Sequence, residues 1–170
     1  MKNKDYSKDN DGLRKMRELL ENTKVFMMAT NLGKVPFSIC PMTLQEMDEQ
    51  GDLWFFAPRN SDHFKEIEKD NRVQLIISNE NEQQYISIYG NATHIIDKQK
   101  LNQLWNPMLR AWFNGMDDPN IALLNVNMES AYYWDSFENK LVSLYHLAKA
   151  VTTGDRTEMG EKGHVDLQNH

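Results

Sequence analysis

The sequence predicts a mainly β fold with peripheral helices (α+β), in which a mostly antiparallel sheet closes on itself. Three observations predict it. Short apolar or alternating runs recur at residues 25–30, 53–57, 73–78, 85–96, 121–128 and 131–135, with no helix regularly set between them. Helical periodicity is confined to a few segments, near the start, around 97–113 and near 140–150. A sheet of many short hydrophobic strands hides its edges best by closing into a barrel.

The chain has 170 residues, enough for one domain that buries roughly 70% of the surface it exposes when unfolded. Apolar residues make up 40% and charged residues 26%, as in an ordinary globular protein. The net charge is −6 with the acids spread along the chain, which argues against nucleic acid or an anionic membrane as partner. Cys40 is the single cysteine, so an internal disulfide and a C-x-x-C metal site are both excluded. The N-terminus has no apolar signal region, and no run approaches the ~20 apolar residues that span a bilayer. These features lead us to expect a cytoplasmic protein.

Residues 1–10 are polar and read as a flexible N-terminus, 11–151 as the single domain, and 152–170 as a polar tail. Asp11 can cap a helix with Leu13, Met16 and Leu20 on one face. A turn at Asn31-Leu32-Gly33-Lys34 joins the first strand to a second through Phe37, Ile39 and Pro41, where Pro41 predicts an edge or a bulge. Residues 53–57 carry large side chains on both faces. Pro58 stops that strand, and Asn60 or Ser61 caps a short helix with Phe64 and Ile67 inward. In the alternating strand 85–96, Gly90 predicts a bulge or the close approach of another backbone. Leu101, Leu104, Trp105, Met108, Leu109, Trp112 and Phe113 form an apolar helical stripe. Asn106-Pro107 divides it into two bent pieces. Two strands, 121–128 and 131–135, and a last helix at 140–150 complete the order.

Several segments stand out together: Cys40-Pro41-Met42, Leu53-Trp54-Phe55-Phe56, Tyr85-Ile86-Ser87-Ile88-Tyr89-Gly90-Asn91-Ala92 and Leu104-Trp105-Asn106-Pro107. So do Ala111-Trp112-Phe113-Asn114-Gly115-Met116-Asp117-Asp118-Pro119-Asn120 and Ala131-Tyr132-Tyr133-Trp134-Asp135. In this order and spacing they resemble the general stress protein branch of the pyridoxamine-phosphate-oxidase-like flavoproteins, over about residues 14–153. The resemblance implies a six-stranded antiparallel split β-barrel of the FMN-binding type. It also implies a homodimer with FMN, or alternatively FAD, in clefts between the subunits.

The cofactor residues implied are Cys40, Pro41, Met42 and Gln45 on one strand, then Phe55, Phe56 and Ala57 on the aromatic strand. Ser61 and His63 in the following turn, Tyr85 and Trp112 complete the set. The family's phosphate partners are basic and hydroxyl side chains. Here Cys40 stands where an arginine is expected and His63 where a lysine is expected, and Ser61 alone keeps its type. Gln45 and Asp62 replace further basic residues of the oxidases proper. Each charge-assisted hydrogen bond to a phosphate is worth roughly 1.5–3 kcal/mol, so these exchanges weaken the implied site. The free N–H groups of the helix that starts at Ser61, a protonated His63 and the nearby Arg59 could compensate.

Each of these residues also has a structural reading. Cys40 reads as a small half-buried residue before it reads as a reactive thiol. Phe55 and Phe56 fit a barrel wall as well as a flavin contact. Trp112 reads first as dimer or helix packing and second as a ring near the partner subunit's flavin. Away from its turn His63 would be a surface histidine. Asp117-Asp118 reads as a turn and cap rather than a metal site. His94, His146, His164 and His170 lack ligand spacing. No catalytic residue is identified.

The leading functional expectation is a flavin-dependent oxidoreductase acting in stress response, exchanging hydride with a nicotinamide nucleotide or small oxidant. A non-enzymatic protein that stores, senses or has lost flavin is the alternative. True pyridoxamine-phosphate oxidase activity is disfavoured by the missing basic set.

Overall fold

The computed structural model describes residues 1–7, 10–136 and 160–168. In chain order these form β1 (Lys2–Asn3), α1 (Asn10–Leu20), β2 (Val25–Thr30), β3 (Ser38–Met47), β4 (Leu53–Pro58) and α2 (Asp62–Lys69). There follow β5 (Arg72–Asn79), β6 (Gln84–Ile95), α3 (Lys98–Leu104), a 3₁₀ turn at Pro107–Ala111, β7 (Ile121–Asp135) and β8 (Glu161–Asp166). The sheet order is β1-β8-β7-β4-β3-β2-β5-β6, and a further β6–β7 pairing closes β2 to β7 into a six-stranded antiparallel split barrel. The expected fold class is the one observed.

Large residues on both faces of β4 have a direct cause: the strand lies between two apolar clusters. Leu53, Phe55 and Ala57 point into the barrel with Phe26, Met28, Leu75, Ile88 and Leu124. Phe56 points the other way, into a cluster with Leu109, Phe113, Ile121 and Leu123 beneath α3 and the 3₁₀ turn. Strand alternation sends neighbours to opposite faces, so a wall between two cores reads as continuously apolar. Asn106 caps the 3₁₀ turn through its side chain, with Pro107 at its first position, so the predicted stripe is two pieces. The break turns Met108 and Trp112 outward, at 78% and 66% exposure, while Leu109 and Phe113 stay buried.

Gly90 shows both features predicted for it. The β6–β7 register shifts between Tyr89 and Gly90, and a Cβ on Gly90 would lie 2.3 Å from the carbonyl oxygen of Asn127. The shift places Glu129 opposite no residue of β6, and β7 runs through it as one strand where the sequence suggested two. Pro41 sits where β3 pairs with β2 alone, because pairing with β4 begins at Leu44.

Other expectations differ. Asp11 lies in the first turn of α1 rather than before it, held to Arg14. The segments expected to be a flexible N-terminus and a polar tail contribute β1 and β8, which pair in parallel, with β8 also antiparallel to β7. Their cue is faint because few of their side chains face the core, chiefly Val165 and the following Leu167. Helix 140–150 lies outside the described residues. Among the described residues, no helix is long and apolar enough to cross a membrane.

Candidate functional site

Ser61 is the residue on which the site turns. Its backbone is extended, and its side chain caps α2 by accepting from the N–H of Phe64 at 3.4 Å. Its hydroxyl donates to the carbonyl of Pro58 at 2.6 Å, tying the cap to the end of β4. His63 Nε2 lies 3.3 Å from the same oxygen. The pair is not an activated nucleophile, because the Ser61 proton is already given to Pro58. Burial holds the His63 imidazole below its ordinary pKa, against the opposing pull of Glu66 and Asp62. It is therefore neutral near pH 7.

Glu66, one turn further along α2, carries no signal in the sequence that singles it out. Its carboxylate accepts from Thr30 Oγ1 at 2.6 Å and from Ser38 Oγ at 2.7 Å, bridging α2 to the end of β2 and the start of β3. These bonds hold Glu66 below the usual carboxylate range. Its field reaches Cys40, two residues beyond Ser38 on the same face of β3, whose thiol is pushed up by burial and then by Glu66. Cys40 and His63, the two positions where the family places cations, thus both feel the field of one ionised carboxylate.

The other predicted residues lie apart. Gln45 occupies the β3 bulge, where its amide donates to Thr43 O and its oxygen accepts from Asn106 at 3.0 Å. Both ends of the side chain are engaged, one within β3 and the other in anchoring the 3₁₀ turn. Met42, Phe55 and Ala57 are core residues, Phe55 packing edge-on against Phe26 with centroids 5.7 Å apart. Phe56 packs against Trp105 and Phe113, each at 6.3 Å. Pro41 and Tyr85 face outward, Tyr85 opposite Trp134. Asp118 accepts from the N–H groups of Asn114 and Asn120, both at 2.8 Å, which is the turn-and-cap role. Among the described residues, no group of three or more metal-ligating side chains gathers.

The sequence profile of the pyridoxamine 5'-phosphate oxidase like family matches residues 11–158. The chain belongs to that family. General stress protein 26 of Bacillus subtilis is 25% identical over 135 residues, spanning 76% of this chain and 93% of the relative. A crystal structure named as a general stress protein 26 from Jannaschia sp. CCS1 superposes with a TM-score of 0.78 at 25% identity, covering 93% of this chain and 99% of that one. The general stress FMN/FAD binding protein from Xanthomonas citri superposes at 0.65 with 27% identity, covering 77% and 93%.

Flavin is the cofactor that the pyridoxamine-phosphate-oxidase-like family implies, and the phosphate half of FMN gives the sharpest test of fit. The ionised Glu66 opposes a phosphate dianion held beside Cys40 and His63 by direct charge repulsion. The N-terminus of α2 returns about 0.3–1 kcal/mol. Arg59 gives its Nε–H to the carbonyl of Ile121 at 3.0 Å, and Asp62 is 96% exposed. Lys34 is felt at Glu66, but Cys40 and His63 are both neutral where the family places cations, so the residues present fit a phosphate dianion poorly.

Proposed function

We propose that the chain is a flavin-binding protein that works as a homodimer, with the flavin held between the copies. Family membership and the FMN/FAD-binding relative from Xanthomonas citri support the ligand class. The observation that carries the dimer is an apolar band on the outer sheet that stands exposed among the described residues. Pro41, Met27 and Ile76 stand opposite one another across β3, β2 and β5. Beside them lie Val25 and Ile39, at 59% and 48% exposure. The registers continue from Ile76 through Ser87 to Tyr132, beside the exposed Tyr85 and Trp134. Patches of this kind mark interfaces, and obligate dimers commonly bury more than ~2,000 Å².

As an enzyme the protein would exchange electrons between flavin and a nicotinamide nucleotide or small oxidant, and the names of its relatives support a part in stress response. Flavin supplies that redox chemistry, and the chain's own contribution is binding and orientation. The neutral His63 and Cys40 beside Glu66 favour a second reading, a protein that stores or senses flavin. Titration of the purified chain with riboflavin, FMN and FAD, followed by fluorescence quenching, tests the shared claim. Saturable binding at one flavin per protomer is expected, and absence of binding by all three would overturn both readings.

A further inference from the structure

We propose that the site takes the unphosphorylated flavin, riboflavin, in preference to FMN, with Glu66 as the residue that sets the preference. This rests on the flavin reading above and concerns the part of the site bounded by Cys40, Ser61 and His63.

Two hydroxyls that could have donated to a phosphate, those of Thr30 and Ser38, are spent on Glu66. Thr30 is fully buried, so its hydroxyl cannot swing out to a ligand without breaking that bond. The Ser61 hydroxyl is committed to Pro58. What remains is an ionised carboxylate beside a neutral imidazole and a neutral thiol, whose N–H and S–H bring no positive charge to set against a phosphate dianion. Glu66 accepts from Thr30 on one oxygen, from Ser38 on the other and also from the Asn31 side chain, which leaves about one of its four lone-pair directions for a ligand. The hydroxyls of a ribityl chain can donate there, whereas a phosphate dianion brings only negative oxygens. Lys65 and Asp62 are largely exposed and lie 4.0 Å from each other, so Lys65 is no dedicated phosphate partner. Lys34 lies near enough to Glu66 for its charge to be felt, and that charge serves the carboxylate first.

A purely structural Glu66, a strut between α2 and the β2–β3 end, would affect all flavins alike. Selection against phosphate separates them.

The test is flavin fluorescence quenching with the full chain, using riboflavin and FMN, on wild type and Glu66→Gln at low and high salt. The substitution keeps an oxygen acceptor for Thr30 or Ser38 while removing the charge. Wild type is expected to bind riboflavin about tenfold tighter than FMN, and Glu66→Gln to abolish that preference, gaining about tenfold for FMN while riboflavin, whose hydroxyls lose their charged acceptor, binds more weakly. High salt should narrow the wild-type gap by raising FMN affinity alone. That arm decides the matter if thermal melting shows Glu66→Gln to be misfolded. Tighter binding of FMN than riboflavin by wild type, or equal shifts for both ligands, would overturn the preference and leave the flavin reading standing. Binding of neither ligand would end both.

Discussion

The Tyr133 hydroxyl lies 2.7 Å from Glu161 Oε1, joining the last residues of β7 to β8. The same carboxylate oxygen is 3.3 Å from Lys15 Nζ on α1, whose side chain is 8% exposed. Burial pushes Glu161 up, but the Tyr133 bond and Lys15 together bring it below its ordinary value. Tyr133 itself is pushed well above the usual phenol range. Tyr133→Phe should therefore cost about 1–3 kcal/mol, since it leaves a partly buried acceptor short of its donor. Urea unfolding at neutral pH measures it, and an unchanged midpoint would show that the bond contributes nothing.

Gly90→Ala should be more damaging than an ordinary strand glycine replacement. Its Cβ would meet backbone atoms of Asn127 and Met128 rather than a flexible side chain, so the bulge itself must open. We expect a loss of about 2 kcal/mol or more, read by thermal or urea unfolding.

Two half-buried histidines give stability a pH dependence. His63 and His94 both lie below 6.5, first because of burial; His94 stacks on Phe64 with centroids 3.6 Å apart. As pH falls through about 6.5 the unfolded chain binds protons that the folded one does not, so stability present above that value is lost toward pH 5. The double variant His63→Gln with His94→Gln should flatten the profile between pH 7.5 and 5. An identical slope would assign the loss to other groups.

Cys40→Arg with His63→Lys restores two cations beside Glu66. FMN affinity should rise by an order of magnitude or more, and riboflavin affinity should change little. Equal gains for both flavins would place the phosphate elsewhere.

Met27→Glu puts a charge in the middle of the outer apolar band. Light scattering should show wild type as a dimer and the variant as a monomer at micromolar concentration, with flavin binding lost alongside. A monomeric wild type would remove the interface.

Much of the barrel was legible because its signals are local. β6 alternates cleanly from Ile86 to Ala92, Gly90 marks the bulge, and Asn106-Pro107 marks the helix break. β8 was not legible, since Glu161 to His164 carry no apolar stripe and its strand pairing is supplied by residues distant in sequence. The site divides in the same way. The Ser61 cap and its histidine could be read from the turn, whereas Glu66 gains its meaning from Thr30 and Ser38, which lie 36 and 28 residues away. Gln45 looked like a ligand position until the bulge and Asn106 gave its amide another use.

The parallel pairing of Lys2–Asn3 with Glu161–Lys162 has a consequence for the order of assembly. During synthesis residues 2–6 leave the ribosome well before residues 161–165, so they wait through the making of the whole barrel before their partner exists. Until then Lys15 lacks one of its two carboxylates, and the outer edge of residues 130–135 in β7 stands open. The barrel can close early; the seam between β1 and β8 closes only after residues 161–166 have been made.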